Sequence, residues 1–522
     1  MQHPWDQRLG VWWIAEDHPD APAILESPSG RTMTFAELVA SAHRVANSLR
    51  AHGLAEGDVV AYALPNDVDA VIWQLATTEI GLRYLTLNTA LSADEFAAIL
   101  EHSGATALVT HADYLERFTP AADDARLRIV VGDDSRVPEG FITEADFVAD
   151  QPATPPADRR QGDAIRYSSG TTGKPKGIVR PLDGRDPSEA AHGLSIFGRA
   201  FDFRPLEGAH LVSTGMYHAG CQSFYLGALN VGQPLVILGR FDPEQTLAAI
   251  ERHGVTTAYM VPTQFVRMLK LPQDTRAKYD LSSLRSVVHS AAPCPLQVKK
   301  DMLAWWGPVI WETYGGTEGA ATIAKPHRWL QKPGTVGRPV RGMRVHILDS
   351  EGNPLPPNTI GDVYMERTDG QRFEYRNDKE LTESVHRGSA FTIGDVGYLD
   401  DDGYLFICDR AKDMIISGGV NIYPAEVEGV LSSHPAVADV AVVGIPDPEW
   451  GEQVKAVVEL VDGTQPSAEL AADIIAYSRK HLAGFKCPRS VDFADALPRT
   501  ETGKLLKRQI RDGFWAHAGR QV

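Results

Sequence analysis

The sequence holds no apolar run approaching the ~18 residues that a membrane-spanning helix needs. Its first residues, Met1-Gln2-His3-Pro4-Trp5-Asp6, show no basic segment followed by an apolar one, so no secretory leader is expected. Cysteine is scarce. Cys221, Cys294, Cys408 and Cys487 are the four in 522 residues, far apart and without metal-type spacing, which predicts a reducing, cytoplasmic setting. Basic charge is in deficit, with 51 Lys and Arg against 68 Asp and Glu and a formal net charge of −17. Non-specific nucleic-acid binding needs a basic face, so that class is disfavoured.

What is present is an ordinary globular composition, 43% hydrophobic and 23% charged, in a chain long enough for two or more domains. Helix and strand signals alternate, as in α/β domains. Thr34-Phe35-Ala36-Glu37 and Ser92-Ala93-Asp94-Glu95 are capping boxes that open helices. Residues 59–64, 107–110, 128–132, 211–213, 235–238, 257–261 and 284–288 read as strands, 243–253 as a helix, and 152–160 as a surface connection. From 336 to 398 the pattern becomes short strands and turns, a small β subdomain. Beyond Arg410, a strand at 440–443, a helix at 469–482 and a strand at 490–493 read as a separate small α+β unit.

The most informative stretch is Tyr167-Ser168-Ser169-Gly170-Thr171-Thr172-Gly173-Lys174-Pro175-Lys176-Gly177. Glycines let a backbone turn and approach a ligand closely. Successive N–H groups, hydroxyls and ammonium groups then suit a polyphosphate. A plain Gly/Ser linker has no use for two lysines and a proline at set places. It is not a P-loop, because Ser168 stands where the first Gly is needed and Pro175 follows Lys174. The stretch resembles the phosphate loop of the adenylate-forming superfamily: acyl-CoA synthetases, aryl-CoA ligases, luciferase and the adenylation domains of peptide synthetases. That resemblance implies four further motifs in order.

All four are found. In Trp311-Glu312-Thr313-Tyr314-Gly315-Gly316-Thr317-Glu318, expected to follow a strand, Tyr314 offers a flat face for a purine, Thr317 a hydroxyl for a phosphate and Glu318 an oxygen for Mg²⁺. It matches the family's Tyr-Gly-x-Thr-Glu motif. Thr392-Ile393-Gly394-Asp395 resembles the Thr-Gly-Asp motif, which implies that Asp395 bonds the ribose hydroxyls. Asp409-Arg410-Ala411-Lys412-Asp413 implies Arg410 as a ribose ligand and Lys412 as a hinge, followed by Ser417-Gly418-Gly419, which the family uses along its pantetheine tunnel. Pro498-Arg499-Thr500-Glu501-Thr502-Gly503-Lys504 implies Lys504 as the lysine that reaches the α-phosphate and the carboxylate. A positioned ammonium stabilises charge that develops in the transition state.

The resemblance thus implies an α/β fold: a large N-terminal adenylate-forming domain (1–409) with α/β subdomains and a small β subdomain, plus a small mobile C-terminal α+β lid (410–522) hinged near Lys412. It implies ATP, Mg²⁺ and coenzyme A as cofactors. The catalytic set is Lys504, Thr172, Glu318 and His218, with Thr172 and Glu318 also holding the metal. ATP and AMP would meet Ser168, Ser169, Gly170, Thr171, Thr172, Gly173, Lys174 and Lys176 in the loop, Ser290, Ala291 and Ala292 on the adenine side, then Glu312, Tyr314, Gly315, Thr317, Asp395, Arg410 and Lys504. The acyl pocket falls to Tyr217, His218, Gln222, Val261, His289, Gly315 and Gly316. Ser417, Gly418, Gly419, Trp450 and Phe485 fall to CoA.

The implied activity is ATP-dependent acyl-CoA ligation, with small molecules as partners and room for a homodimer. Amino-acid-activating relatives carry an Asp near residues 215–220, and none is here. No carrier domain is expected after Lys504. Gly316 stands where many relatives have a larger side chain, and beside Gly315 it suggests a wide floor for a medium-chain, long-chain or bulky acyl group. An aryl-CoA ligase and an acyl-AMP ligase that loads a carrier protein are the alternatives. Ser290 in place of a common Gly, and Arg180-Pro181 after the lysine loop, depart from the family pattern.

Overall fold

Runs of Val, Ile, Leu and Ala with both faces apolar form parallel sheets that are buried on both sides. The computed structural model describes residues 4–26, 28–121, 125–133, 137–168, 176–182, 184–500 and 505–516. A first sheet of six parallel strands runs in the order Ile142–Thr143, Leu127–Val131, Ala107–His111, Val59–Ala63, Arg83–Thr86, Asp163–Ala164. Val59–Ala63 is buried at every residue. Both capping boxes form, opening Phe35–Ala51 with Thr34 and Glu37, and Ala93–Ser103 with Ser92 and Glu95.

A second, nine-stranded sheet has a parallel centre. There Ile310–Gly316, Ser286–His289, Val255–Met260, Ala209–Val212, Leu235–Ile237 and Pro22–Glu26 lie side by side. Antiparallel strands close its edges. One core joins the two sheets: Tyr62, Val109 and Ile129 of the first meet Val212, Ile237, Val288 and Trp311 of the second through the helices Phe35–Ala51, Val68–Glu79 and Ala219–Asn230. The connection at 152–160 is less superficial than expected. Arg159 reaches in to the fully buried Glu79 carboxylate at 2.7 Å, which His43 also meets at 2.9 Å. A buried carboxylate needs such partners.

The β subdomain is an antiparallel sheet around Gly361–Arg367, and it extends further than its turn pattern suggests. Leu405–Arg410 pairs with Asp395–Leu399, so Arg410 ends this sheet. A three-stranded antiparallel sheet, Glu374–Tyr375, Lys176–Val179 and Arg166–Ser168, flanks residues 169–175. The C-terminal domain has its own core and a five-stranded sheet built on the long hairpin Val437–Asp447 and Gly451–Leu460. The whole is mixed α/β, a large N-terminal domain followed by a smaller C-terminal one.

Candidate active site

In open parallel sheets, ligands gather beyond the C-terminal ends of the strands. The 311–318 motif does not follow a strand, as its sequence suggested, but is one. Ile310–Gly316 turns at Thr317-Glu318 and returns as Gly319–Ala324. A Cβ on Gly315 would stand 2.3 Å from the Gly319 carbonyl oxygen and 2.5 Å from the Ala320 Cα. Gly315 is therefore required by the close approach of its own hairpin. A Cβ on Gly316 would meet Glu318 Oε2 at 2.5 Å and Ile393 beyond it. The hairpin thus accounts for Gly315, whereas at Gly316 the nearest atom is the end of the flexible Glu318 side chain.

Residues far apart in sequence converge at this hairpin. Asp395 and Arg410 face one another across adjacent strands, with Arg410 Nε 3.3 Å from Asp395 Oδ1. The Tyr314 hydroxyl donates to Asp395 Oδ2 at 2.8 Å, and burial first, then Asp395, push its pKa up. The Tyr375 hydroxyl donates to Glu318 Oε1 at 2.8 Å. Arg180 donates through Nη2 to the Glu318 carbonyl oxygen.

On the adjoining strand end, Ser290 follows Ser286–His289, and Ala291 holds a left-handed backbone with φ 72°. Strained residues of this kind persist where surroundings over-determine them, commonly beside ligands. Glu312 is charge-compensated, with Lys299 Nζ 2.5 Å from its Oε2, and the same ammonium lies 4.6 Å from the Trp329 ring centroid. His289 is fully buried, 3.5 Å from the same Glu312 oxygen and edge-on to Phe265. Burial first, then Lys299, hold its pKa well below the ordinary value.

The Met216-Tyr217-His218 loop precedes the helix Ala219–Asn230 and is tied to the first sheet. Asn66 accepts from the Met216 N–H at 2.8 Å and Thr86 Oγ1 donates to the Tyr217 carbonyl at 2.9 Å. Gln222, also buried, spends its amide on Thr86 Oγ1 and the Met216 carbonyl, so it holds this loop from behind. The His218 ring packs 4.1 Å from that of Tyr217, and burial pushes its pKa down to about 4. Val261, buried, starts the helix Pro262–Leu269. Behind the loop, aromatic side chains pack into the core that joins the two sheets. Tyr259 stacks on Phe224 at 4.9 Å, Phe224 meets Phe201 edge-on at 4.9 Å, and Phe201 reaches Trp311 at 6.3 Å. The Tyr259 hydroxyl comes so close to the helix that a Cβ on Gly220 would lie 2.4 Å from it.

At the start of the C-terminal domain, Lys412 lies in a short turn, Ala411–Asp413. Burial first, and then the like charges of Arg410, Arg511 and Lys176 against the opposing Asp413, lower its pKa. This is the local positive charge that anionic ligands need on an acidic protein. Gly418, with φ 58°, presses against the Trp450 indole, where a Cβ would be 2.4 Å from Cε3. Trp450 and Phe485 remain 42% and 55% exposed, so neither is buried core. Arg489 lies 5.4 Å from the Trp450 ring, and Lys486 flanks Phe485.

Residues 11–369 match the family described as AMP-binding enzyme, and residues 426–504 match the AMP-binding enzyme C-terminal domain. The chain belongs to the AMP-binding enzyme family. It is 35% identical over 512 residues to a feruloyl-CoA synthase of an Amycolatopsis species, covering 98% of this chain and 99% of that one. It is 33% identical over 537 residues to the fatty acid–[acyl-carrier-protein] ligase ScoC of Streptomyces coeruleorubidus, covering 100% and 99%. The solved structure of o-succinylbenzoate CoA synthetase (MenE) from Bacillus subtilis with its acyl-adenylate intermediate superposes with a TM-score of 0.81 at 28% identity, over 97% of this chain and 98% of that one. The protein is an enzyme of the ligase class.

In this AMP-binding enzyme, Ser169, Gly170, Thr171, Thr172, Gly173, Lys174 and Lys504 lie outside the described residues, and of Ser168 only the strand position is described. Lys176 lies in the strand that follows the loop, and Thr317 in the hairpin turn. Among the described residues no cluster of three His, Cys, Asp or Glu side chains is placed to hold a metal. A lone carboxylate such as Glu318 fits Mg²⁺, which binds through one or two carboxylates together with phosphates and retained waters. Sequence reasoning missed Tyr375, Lys299 and Asn66. Tyr375 sits in a two-residue strand with no local signal.

Proposed function

We propose that this AMP-binding enzyme joins a carboxylic acid to the thiol of coenzyme A through an acyl-adenylate. The convergence of Tyr314 and Arg410 on the Asp395 carboxylate carries the reading. That constellation offers a planar ring and a ribose-sized pair of polar groups beside the hairpin bearing Glu318. A carboxylate oxygen attacks the α-phosphorus of ATP, the bond to the bridging oxygen of the β-phosphate breaks, and pyrophosphate leaves. The CoA thiolate then attacks the acyl carbon and AMP departs with its phosphate oxygen.

In this reading Lys504 stabilises the charge that develops at the α-phosphate and the carboxylate. His218, neutral because it is buried, orients the carboxylate by hydrogen bonding rather than as a cation. Thr172 and Glu318 would hold Mg²⁺, which when bound offsets phosphate charge. Residues 1–409 form the adenylating domain and 410–522 a lid that turns about Lys412 between the half-reactions, as gating elements do. The exposed Trp450 and Phe485, each with a cation alongside, suit a purine and its phosphates. The setting is cytoplasmic, consistent with four unpaired cysteines and with the absence, among the described residues, of any helix long and apolar enough to cross a membrane.

For the acyl group, the reading is an aromatic acid rather than the medium-chain, long-chain or bulky one expected from the sequence. The relative named feruloyl-CoA synthase supports it. Transfer to a carrier protein is the second reading, favoured by the full-length likeness to ScoC. Acid-dependent pyrophosphate release across aromatic, fatty and sterol acids, with and without CoA, tests all of this. Turnover that requires CoA, yields AMP and is fastest with an aromatic acid is expected. Release that stalls near one equivalent whether or not CoA is present would refute the CoA reading in favour of the carrier one.

A further inference from the structure

Arg180 occupies an unusual position. Its guanidinium is half-buried, and burial first, then neighbouring Arg166, lower its pKa. It makes no ion pair among the described residues, although Glu318 carries a carboxylate on the same residue whose carbonyl Arg180 binds. That carboxylate is held instead by a neutral donor, the Tyr375 hydroxyl at 2.8 Å on Oε1. Oε2 lies over Gly316, where the missing Cβ leaves room for it. The Arg180 carbonyl in turn accepts from Arg83 Nη2 at 2.9 Å. Arg83 begins a strand of the first sheet, Arg180 follows the strand Lys176–Val179, and Glu318 caps a hairpin of the second sheet. Two arginines thus bridge three sheets at the end of the strand Lys176–Val179.

A cation buried beside other cations is costly unless something repays its desolvation. An ion pair with the Glu318 carboxylate would repay it most directly, but would also offset the negative charge a metal-binding carboxylate needs. Bonding to the carbonyl fixes the turn and leaves that charge unspent. We propose that Arg180 is a positioning residue that sets the Glu318 carboxylate for the Mg²⁺ carried by ATP, with Arg83 holding Arg180 in place. This rests on the reading of Glu318 given above. Partners that orient a metal-binding carboxylate contribute strongly to its affinity. Lysine does not substitute for the planar fork of arginine at such a site.

The test is equilibrium binding of a non-hydrolysable α,β-methylene ATP analogue to the full chain, with Mg²⁺ and with EDTA, in native protein, Arg180→Ala, Arg180→Lys and Glu318→Gln. Arg180→Ala should weaken the Mg²⁺ complex by roughly 10-fold to 100-fold and leave the metal-free affinity unchanged. KM for MgATP should rise by a like factor, while thioester formation from preformed acyl-AMP stays at the native rate. Arg180→Lys, the milder change should the alanine variant not fold, should keep most of the defect. Equal weakening with and without metal would mean that Arg180 is a general phosphate-side charge, and full recovery in Arg180→Lys would also overturn positioning by the fork. Loss of the Mg²⁺ dependence in Glu318→Gln but not in Arg180→Ala would overturn this inference alone. No effect in Glu318→Gln would overturn the reading of Glu318 itself.

Discussion

Replacing Lys299 with methionine tests how the strand beside the proposed adenine site is held. The ammonium lies 2.5 Å from Glu312 Oε2, with 1% of the Lys299 side chain and 12% of that of Glu312 exposed. His289 Nε2 faces the same oxygen at 3.5 Å. Methionine fills the volume but leaves the Glu312 carboxylate uncompensated, and breaking a buried pair from one side costs about 3–5 kcal/mol. Part of that loss is recoverable through His289. Burial is the larger cause of its depressed pKa and the Lys299 ammonium the second, so removing the ammonium lets the pKa rise beside Glu312. In the native protein His289 stays neutral when folded and binds a proton only when unfolded, so native stability declines as pH falls below about 6.5. In Lys299→Met the folded state takes up that proton as well. The deficit relative to native should therefore shrink between about pH 8 and pH 5.5. Urea midpoints read by tryptophan fluorescence at the two pH values measure it, and Lys299→Met/Glu312→Gln should restore most of the loss at both. A deficit below about 1 kcal/mol, or one of equal size at both pH values, would refute the reasoning.

Lys504→Ala should depress adenylation by roughly 10²-fold or more while thioester formation from preformed acyl-AMP survives, and equal loss in both half-reactions would contradict the division of roles. His218, held near a pKa of about 4, contributes stability that is complete above the unfolded value and lost as pH falls toward about 4. His218→Ala should accordingly lower kcat/KM without moving the pH–rate profile between about pH 5 and 8, and a displaced limb in that window would show that the ring titrates there. Gly315→Ala drives a Cβ into the Gly319 carbonyl and should lower the thermal midpoint by the equivalent of about 1–3 kcal/mol whatever the acid substrate. A variant of native stability with altered acyl preference would refute the hairpin requirement and place Gly315 at the acyl pocket.

Much of the fold was legible because its signals are local. Thr34 with Glu37 and Ser92 with Glu95 are bonded three residues apart, so the sequence shows both partners at once. The apolar run from Val59 to Ala63 reads as a buried strand because every side chain in it is apolar. The helix Pro243–His253 carries its own proline start and is followed by Gly254. The order of the five motifs identified the family, since each is a short contiguous string. Less was legible where an edge was at stake. The β pattern in the sequence ends at residue 398, yet Leu405–Arg410 belongs to the same sheet, a matter decided by pairing with Asp395–Leu399 rather than by composition.

The sequence by itself determined most element types and the family, because propensity, capping and motif spacing are properties of neighbours along the chain. Only the tertiary structure decided that Tyr375 donates to Glu318, that Lys299 rather than a ligand compensates Glu312, and that Arg180 binds a carbonyl in preference to a carboxylate. It also decided that Gly315 is needed by the close approach of its own hairpin. Each of these depends on which strands pair and in what register. That choice is made by burying one continuous core across segments up to hundreds of residues apart, and no local pattern records it.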